Sequence, residues 1–236
     1  MSSATPHHPV SPATAAEAGP PAADRAYQHV KAGLLDGGFP DGHLLSEGEI
    51  ATALEMSRTP VREAFLRLQA EGFLRLYPKR GALVLPVTPL EARAVLEARL
   101  AMESFAIDKL ATEGPEAMRT VGRELLEHPA CDAGELTDAA LHEADRGFHA
   151  HLVAAAGNPV VTDLYTALRD KQMRITATAR THTARPRITH QHGGLAEALR
   201  DADPELAKQR LREHLVGTLR GLGISGGSYL DPEDEG

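Results

Sequence analysis

Hydrophobic side chains recur at helical spacing in the first part of the chain. Tyr27, Val30 and Leu34 fall on one face of a helix that begins near residue 24 and ends at the glycines of positions 37 and 38. Ser46 precedes Glu49 with the spacing of a capping box, which marks the start of a second, shorter helix. This stretch therefore predicts two helices separated by a turn.

The next segment combines a third helix with a hairpin. Val61, Phe65 and Leu68 recur at positions i, i+4 and i+7, so one face of this helix is predicted to be buried. The spacing of the apolar residues then changes. Residues 73–77 and 82–85 are typical of two short strands joined by a basic turn. Three helices followed by such a hairpin predict a winged helix-turn-helix domain, called the head below.

After the head, almost every signal is helical. Thr88 is placed to cap a helix that Pro89 opens, and Gly157 suits the position just after a later helix. About six helices follow one another, which predicts an all-α bundle. Both ends of the chain are poor in large apolar side chains, so disordered tails are expected there. The predicted divisions are a tail over residues 1–23, the head over 24–87, the helical bundle over 88–224 and a second tail over 225–236.

Composition supports a mainly helical protein that contacts nucleic acid only locally. Aromatic residues make up 4% of the 236 residues and tryptophan is absent, so cores of Leu, Ala and Val are expected. The net charge of −8 argues against a protein that coats nucleic acid with its whole surface. Residues 57–81 nevertheless carry six basic and two acidic side chains. This asymmetry is expected of a small DNA-reading domain on an acidic body.

The basic charge is concentrated at the start of the third helix and at the tip of the hairpin. A helix N-terminus with free N–H groups and arginines attracts phosphate and can present guanidinium groups to guanine edges. The helix alone could equally be an ordinary amphipathic helix with solvated arginines, but the adjoining basic hairpin favours the nucleic-acid interpretation. The residues at the two places are Ser57, Arg58, Thr59, Arg62, Lys79, Arg80 and Gly81.

Three of the twelve histidines fall, together with an aspartate, on predicted inward faces of the bundle. Asp145 and His149 are one helical turn apart, His192 precedes an apolar stripe, and His214 lies beside two leucines of the last helix. Three imidazoles and one carboxylate facing the same interior would form a divalent metal site. Spacing alone leaves open that each is an ordinary core or surface histidine, and His142 is a rival ligand one turn before Asp145.

The remaining sequence features concern location. The single Cys131 excludes an intrachain disulfide and fits a reducing compartment, and no clear base adjoins it in sequence to support a catalytic role. The chain does not start with a basic segment followed by an apolar core, and no apolar run is long enough to cross a bilayer. A cytoplasmic protein without membrane contact is expected.

The head resembles the winged helix-turn-helix domain of the GntR family of bacterial transcription regulators. The matching pieces are Leu45-Ser46-Glu47, Ser57-Arg58-Thr59-Pro60-Val61-Arg62-Glu63-Ala64, Arg67-Leu68, Glu71-Gly72-Phe73 and Arg80-Gly81. The resemblance implies that the third helix reads an operator while the wing tip reaches the adjacent minor groove. Gly48 departs from the family pattern, which usually has an arginine there, so one expected contact to DNA is missing. The predicted DNA-binding residues are Ser46, Ser57, Arg58, Thr59, Arg62, Lys79, Arg80 and Gly81.

The bundle resembles the FCD ligand-binding domain, which accompanies this head in the FadR-like branch of the family. The matching pieces are Glu97-Ala98-Arg99 with Glu103, Asp145-x-x-x-His149, Ala155-Ala156-Gly157-Asn158-Pro159, Gln191-His192 and Glu213-His214-Leu215. The resemblance implies a divalent metal ion, zinc above all with nickel or manganese as alternatives, bound by an Asp and three His. It nominates Asp145, His149, His192 and His214 as the metal ligands. Arg99 is predicted to contact a small carboxylate effector, and the alternative is a structural ion pair with an acidic neighbour.

The two resemblances together imply a mainly α-helical, homodimeric transcription regulator. It is expected to repress by binding a palindromic operator in double-stranded DNA, under control of a small organic acid at the metal. An alternative from another class is a metal-dependent hydrolase or lyase, since an open metal site can activate water. Against that alternative, no further carboxylate or histidine is placed as a general base, and an enzyme would not explain the basic head. A weaker alternative is a helical interaction module with an incidental head.

Overall fold

The computed structural model describes residues 20–132, 134, 136–177, 185–224 and 229–230. Most of the two predicted tails, residues 1–23 and 225–236, lies outside these ranges. The head contains α1 (Ala22–Leu35), β1 (Leu44–Leu45), α2 (Glu47–Ala53), α3 (Arg58–Ala70), β2 (Leu74–Tyr77) and β3 (Gly81–Val84). The bundle contains α4 (Pro89–Glu113), α5 (Pro115–Leu126), a 3-10 turn (Pro129–Cys131), α6 (Asp138–Ala155), α7 (Pro159–Ala177), α8 (Arg185–Arg200) and α9 (Pro204–Gly221).

The apolar faces of the first and third helices form the core of the head, as the sequence pattern predicts. The buried residues of the predicted stripes are Tyr27, Val30, Leu34, Val61, Phe65 and Leu68. Helix α1 begins at Ala22, directly after Pro21 and two residues earlier than predicted. Alanine has the highest helix propensity, so the two alanines that follow Pro21 extend the first turn.

The sheet of the head has a third strand that the sequence analysis did not predict. The strand order is β1-β3-β2, and β1 consists only of Leu44 and Leu45, which pair antiparallel with Leu83 and Ala82 of β3. Gly81 permits this close pairing, because its φ is +107° and a Cβ there would collide with the carbonyl oxygen of Leu45. A two-residue strand carries no alternating pattern, so its sequence gave no sign of it.

The start of α3 differs in one detail from an ordinary capped helix. Ser57 occupies the N-cap position, but its side chain makes no capping hydrogen bond. Pro60 is the third residue of the helix and has no N–H to donate to the Ser57 hydroxyl. Ser57, Arg58 and Thr59 are all exposed, so the polar groups at this end face solvent.

Helices α4, α5, α6, α8 and α9 pack around a core of mainly leucine and alanine, and α7 packs on α4 through a smaller cluster of Ile175 with Ala92 and Val95. Helix α5 lies closely against α8, and Gly122 makes this possible because a Cβ there would collide with the backbone nitrogen of Arg200. Leu230, near the end of the chain, is also buried against this core. In the described part of the chain, no helix has both the length and the hydropathy of a membrane span.

Helix α7 is the part of the bundle that contacts the head through two ion pairs. Lys31 Nζ of α1 lies 2.7 Å from Asp170 Oδ2. Arg174 Nη2 lies 2.9 Å from Oδ1 of Asp41, in the turn before β1. Only 6% of the Arg174 side chain is exposed against 36% of Asp41, so the guanidinium lies inside the contact between head and bundle and the carboxylate lies at its edge.

Candidate nucleic-acid interface and metal centre

Four basic side chains of the head, Arg58, Arg62, Lys79 and Arg80, line a cleft between α2, α3 and the hairpin. The cleft has a volume of about 520 Å³. Its lining includes six of the eight residues predicted to bind DNA, namely Ser46, Arg58, Arg62, Lys79, Arg80 and Gly81. Ser57 and Thr59 do not line it, although both are exposed beside it at the start of α3.

Arg58 and Gly48 are neighbours at one edge of this cleft. A Cβ at Gly48 would lie 3.1 Å from Arg58 Nη2, which is closer than most side-chain contacts. The glycine therefore leaves the space into which the Arg58 guanidinium packs. Arg62 also lines the cleft, and its Nε is 3.5 Å from Oε1 of the half-buried Glu47, an ion pair near the surface that contributes little stability.

The hairpin places its basic residues at a tight turn. Lys79 has a φ of +62°, an uncommon conformation for a residue with a side chain. Arg80 N donates to the carbonyl oxygen of Tyr77 over 3.0 Å and closes the turn. Lys79 and Arg80 are both exposed, so the tip presents two positive charges to solvent.

Four side chains from three helices converge inside the bundle. Asp145 and His149 come from α6, His192 from α8 and His214 from α9, and their ligand atoms all lie within 4.8 Å of one another. His149 Nε2 is 3.2 Å from the Nε2 atoms of both His192 and His214. Asp145 Oδ1 is 3.1 Å from His192 Nε2, 3.6 Å from His214 Nε2 and 3.8 Å from His149 Nε2. These four residues form a candidate metal site, which is called the metal centre below.

The spacing of these atoms fits a bound metal ion. Zinc bonds to nitrogen and oxygen are about 2.0–2.2 Å long, so neighbouring donors in a tetrahedral zinc site lie ~3.3 Å apart. The three imidazoles are almost fully buried, whereas 15% of the Asp145 side chain is exposed. Uncharged imidazoles with converging lone pairs repel one another without a cation between them, and the donor set suits zinc, nickel or manganese.

A buried hydrogen-bond network orients His149. Its Nδ1 lies 2.6 Å from Glu103 Oε2, and an ionised carboxylate can only accept, so the imidazole donates through Nδ1 and keeps its Nε2 lone pair for the metal centre. Glu103 Oε1 accepts from the Tyr165 hydroxyl at 2.7 Å and from Arg99 Nε at 2.9 Å. Both Arg99 and Glu103 are almost completely buried.

The other three candidate ligands differ in the hydrogen bonds that hold them. His192 Nδ1 donates to the carbonyl oxygen of Ala130 over 3.3 Å, so its Nε2 is likewise free to bind a metal. Gln172 of α7 donates to Oδ2 of Asp145 over 3.2 Å, which leaves Oδ1 facing the imidazoles. His214 Nδ1 is buried and has no hydrogen-bond partner in the described structure.

The surroundings set the protonation states that metal binding requires. Burial would raise the pKa of Glu103, but the contacts with His149, Arg99 and Tyr165 outweigh burial and hold the pKa at about 2. Burial would also raise the pKa of Asp145, but the contact with His192 and with the other two imidazoles outweighs burial, so this pKa is well below its ordinary value. Burial lowers the pKa of His214 far below its usual range, and the adjacent His192 acts in the same direction. Ionised Asp145 and neutral His214 are the forms that bind a metal ion.

Comparison with known proteins gives the family of this chain. Residues 22–84 match the model of the gntR family of bacterial regulatory proteins, and residues 94–217 match that of the FCD domain. The chain belongs to the GntR family. A protein of Paenarthrobacter nicotinovorans, named as a probable D-xylose utilization operon transcriptional repressor, is 30% identical over 82% of this chain and 85% of its own length. A regulator of Agrobacterium vitis is 36% identical over 56% of this chain and 78% of its own length.

Solved structures share the fold of this GntR protein. The E. coli protein McbR/YncC has a TM-score of 0.65 and 23% sequence identity, over 86% of this chain and 97% of the other. A GntR structure from Rhodococcus sp. RHA1 has a TM-score of 0.66 and 21% identity, over 86% and 99% of the two chains. The family and the curated relatives are transcription regulators and not enzymes, so this chain is a DNA-binding transcription regulator.

Three other residues that the sequence analysis of this GntR regulator discussed are Arg99, His142 and Cys131. Arg99 forms the ion pair with Glu103 that was the alternative prediction, yet its Nη2 is buried without a hydrogen-bond partner among the described residues. His142 is half-buried on α6 and is not part of the metal centre. Cys131 is half-buried, its Sγ lies 3.2 Å from the carbonyl oxygen of Leu125, and burial raises its pKa to about 11, which keeps the thiol protonated and unreactive.

Sequence reasoning missed two residues of the metal centre's surroundings. Tyr165 and Gln172 both come from α7, and each donates a hydrogen bond to a carboxylate near the imidazoles. Single polar residues in a long amphipathic helix carry no distinctive spacing. The signal that could have found them is their helical position, because Tyr165, Gln172 and the apolar Ile175 recur on one buried side of α7.

Proposed function

We propose that this GntR regulator is a repressor whose operator binding is controlled by a small carboxylate at a divalent metal ion. The observation that carries the proposal is the convergence of Asp145 with three buried imidazole Nε2 atoms at spacings that suit zinc. In this proposal, residues 24–87 bind DNA and residues 88–224 bind the metal and the effector. Because it acts on the chromosome, we place the protein in the cytoplasm.

The four ligands would leave a bound metal ion with net positive charge. Asp145 is the only anionic ligand, so a divalent ion in this centre keeps an excess of one positive charge and, when bound, supplies a Lewis-acid position for an oxygen ligand. The partial exposure of Asp145 makes its side the route by which a small anion can approach the centre. Zinc is the metal we favour, with nickel and manganese as alternatives.

Arg99 supports a carboxylate as the effector. Its Nε is used by Glu103, whereas its buried Nη2 has no hydrogen-bond partner in the described structure. An unsatisfied guanidinium N–H in a buried position is costly, and a ligand carboxylate would satisfy it with a charge-assisted hydrogen bond. The ion pair with Glu103 then fixes the guanidinium in place for the effector.

The DNA-binding surface is the basic cleft of the head together with the exposed start of α3. We propose that Arg58, Thr59 and Arg62 contact the operator from α3, that Ser46 and Ser57 contact phosphates, and that Lys79, Arg80 and Gly81 follow the adjacent minor groove. The cleft collects most of these side chains on one face, and the rest are exposed beside it. Arginines at a helix start are suited to guanine edges, and a basic hairpin is suited to the phosphate backbone.

We further propose that the protein acts as a homodimer on a palindromic operator. Phe105 of α4 and Val160 and Leu164 of α7 are large apolar side chains that are 40%, 65% and 55% exposed. Helices α4 and α7 are packed against each other, so these residues can form an apolar surface for a second copy. A two-fold dimer would present one head to each half-site.

The test uses the full-length, zinc-loaded protein and a duplex selected by it from a randomised pool. Affinity for the duplex is measured by fluorescence anisotropy with a panel of small mono-, di-, hydroxy- and sugar acids and with their uncharged amides. We expect at least one acid, and not its amide, to weaken binding by about fivefold or more. Arg99→Gln should retain zinc and lose the response to that acid, whereas the surface variant Arg123→Gln should keep it. If no acid changes the affinity, the effector proposal is wrong.

A further inference from the structure

The second half of α7 contacts the head and the metal centre at the same time. Asp170 and Arg174 lie one helical turn apart and form the two ion pairs with the head. Gln172 lies between them in sequence. Because an α-helix turns by about 100° per residue, the Gln172 side chain projects from the opposite side of the helix. That side faces Asp145 of the metal centre. A single short segment therefore joins two sites that belong to different domains.

Polar groups form the contact of α7 with the head, and Arg174 is the most buried of them at 6% exposure. The Arg174 guanidinium donates to Asp41 Oδ1 at 2.9 Å and to the carbonyl oxygen of Leu85, and it lies 5.4 Å from the centre of the Phe73 ring. Asp41 is itself held, because its Oδ2 accepts from the backbone N–H of Val87 over 3.2 Å. Arg174 is thus bound to the turn before β1 and to the segment that leaves the head after β3.

Lys31 provides the second attachment on the same face. Its Nζ lies 2.7 Å from Asp170 Oδ2 and 3.0 Å from Glu71 Oε2, so one ammonium bridges α7 and the end of α3. The Lys31 side chain is 14% exposed, and the ammonium also lies 5.6 Å from the centre of the Phe73 ring. A movement of α7 would therefore displace charges at the end of α3 and in the turn before β1.

The contact of α7 with the metal centre is equally direct. Gln172 is 3% exposed, and its amide donates to Oδ2 of Asp145, the oxygen that faces away from the imidazoles. Seven residues earlier, the Tyr165 hydroxyl donates to Glu103, which orients His149. Any ligand that fixes the Asp145 carboxylate also fixes the position of the Gln172 amide.

We infer that the second half of α7 transmits the occupancy of the metal centre to the orientation of the head. Gln172 acts as a positioning residue that senses the Asp145 carboxylate, and Arg174 acts as a positioning residue that holds Asp41 and Leu85. Neither residue touches DNA in this mechanism. The inference rests on the proposed function, since it requires that the centre binds a metal and that the head binds DNA. Binding free energies at coupled sites are reciprocal, so DNA also tightens or weakens metal binding by the same factor.

The experiment measures this coupling in the full chain. The dissociation constant for the selected duplex is determined by anisotropy for chelator-treated protein and for the same protein saturated with zinc(II). The ratio of the two constants is compared among wild type, Arg174→Ala, Asp41→Asn and Gln172→Leu. Arg123→Ala, which breaks a surface ion pair of α5, is the matched control. Zinc affinity is measured for each protein by calorimetry, and circular dichroism checks that each is folded.

We expect the wild-type ratio to fall in the range of about 5- to 150-fold that is usual for coupled sites. Arg174→Ala and Asp41→Asn should bring it to within about twofold of one while zinc still binds, and Arg123→Ala should keep the wild-type ratio. Gln172→Leu should also lose the coupling and bind zinc about 10- to 100-fold more weakly, because it removes a hydrogen bond to a ligand. Asp41→Asn preserves the shape of the side chain, so it decides the question if Arg174→Ala does not fold.

Three results overturn the inference in distinguishable ways. If Arg174→Ala and Asp41→Asn keep the wild-type ratio, α7 does not transmit the signal. If wild-type protein binds zinc but its DNA affinity does not change, the coupling is absent although the metal site stands. If wild-type protein binds no zinc, the metal site of the proposed function fails and the inference fails with it.

Discussion

His149 Nδ1 lies 2.6 Å from Glu103 Oε2, and both side chains are completely buried. This pair links a predicted metal ligand on α6 to a carboxylate on α4. The imidazole has to donate through Nδ1, so Glu103 determines which nitrogen of His149 faces the other ligands. The pair therefore fixes the orientation of one predicted ligand of the centre.

The first prediction is that Glu103→Gln weakens zinc binding by about 10- to 100-fold. The amide carries no charge to stabilise a metal-bound imidazole, and it can present its NH₂ group and so oppose the required tautomer. Calorimetric titration with zinc(II) measures the loss. The control is Glu124→Gln, which changes an exposed glutamate paired with His151 at 2.9 Å and should leave zinc affinity unchanged. Equal affinities of Glu103→Gln and wild type would contradict this role.

The second prediction concerns the recognition helix. Arg62→Ala should weaken binding to the selected duplex by about 1–3 kcal/mol, because a guanidinium that contacts a guanine edge contributes that much discrimination. Anisotropy titrations at several salt concentrations measure the effect. Arg67→Ala is the control on the same helix, since Arg67 pairs with Asp24 on another face and is 46% exposed. Unchanged affinity of Arg62→Ala at moderate salt would remove α3 from the interface.

The third prediction follows from the packing of Arg58 over Gly48. Gly48→Ala should leave the stability of the head nearly unchanged, because the new Cβ meets only the flexible end of Arg58 at 3.1 Å. It should shift that guanidinium and so alter the base preference at one position of each half-site. Selection of duplexes with wild type and variant gives the two preferences. Ala53→Ser, an exposed change on the same helix, should reproduce the wild-type sequence; identical preferences for Gly48→Ala would show that Arg58 does not read a base.

The fourth prediction concerns the unpredicted strand. Gly81→Ala should destabilise the head by about 1–3 kcal/mol, because alanine is strained at a φ of +107° and its Cβ would collide with Leu45. Gly114→Ala is the matched control, since Gly114 has a φ of +115° but nothing within 4 Å of the new Cβ. Hydrogen exchange of the amides in β2 and β3 reports on the head separately from the bundle. If Gly114→Ala destabilises the neighbouring helices α4 and α5 by as much as Gly81→Ala destabilises the head, backbone strain alone explains both losses of stability. The collision with β1 would then contribute nothing.

The sequence predicts the fold of this protein well where periodic patterns are long. The stripe of Val61, Phe65 and Leu68 and the turn at residues 78–81 were sufficient for the head, because burial of one helix face leaves a clear period. Strand β1 escaped prediction, since Leu44 and Leu45 are too few to show a pattern and pair only because Gly81 allows close approach.

The metal centre was harder to predict from the sequence than the fold was. The spacing of Asp145 and His149 shows that they share a helix face, but nothing in the sequence shows that His192 and His214 meet them. The resemblance to the FCD domain supplied that grouping, and the structure brings the four side chains together. The dependence on Glu103, Tyr165 and Gln172 arises from helices that are distant in sequence, so only three-dimensional packing reveals it.

The most direct test of the account is the metal content of purified wild-type protein and of the double variant His192→Ala/His214→Ala. Both proteins are loaded with zinc(II), freed of unbound metal and analysed for zinc per chain by elemental analysis. The variant His151→Ala, which removes an exposed histidine, serves as the control and should match wild type. The account predicts about one zinc per chain in wild type and none in the double variant. Wild-type zinc content in the double variant, or no zinc in wild type after loading, would contradict it.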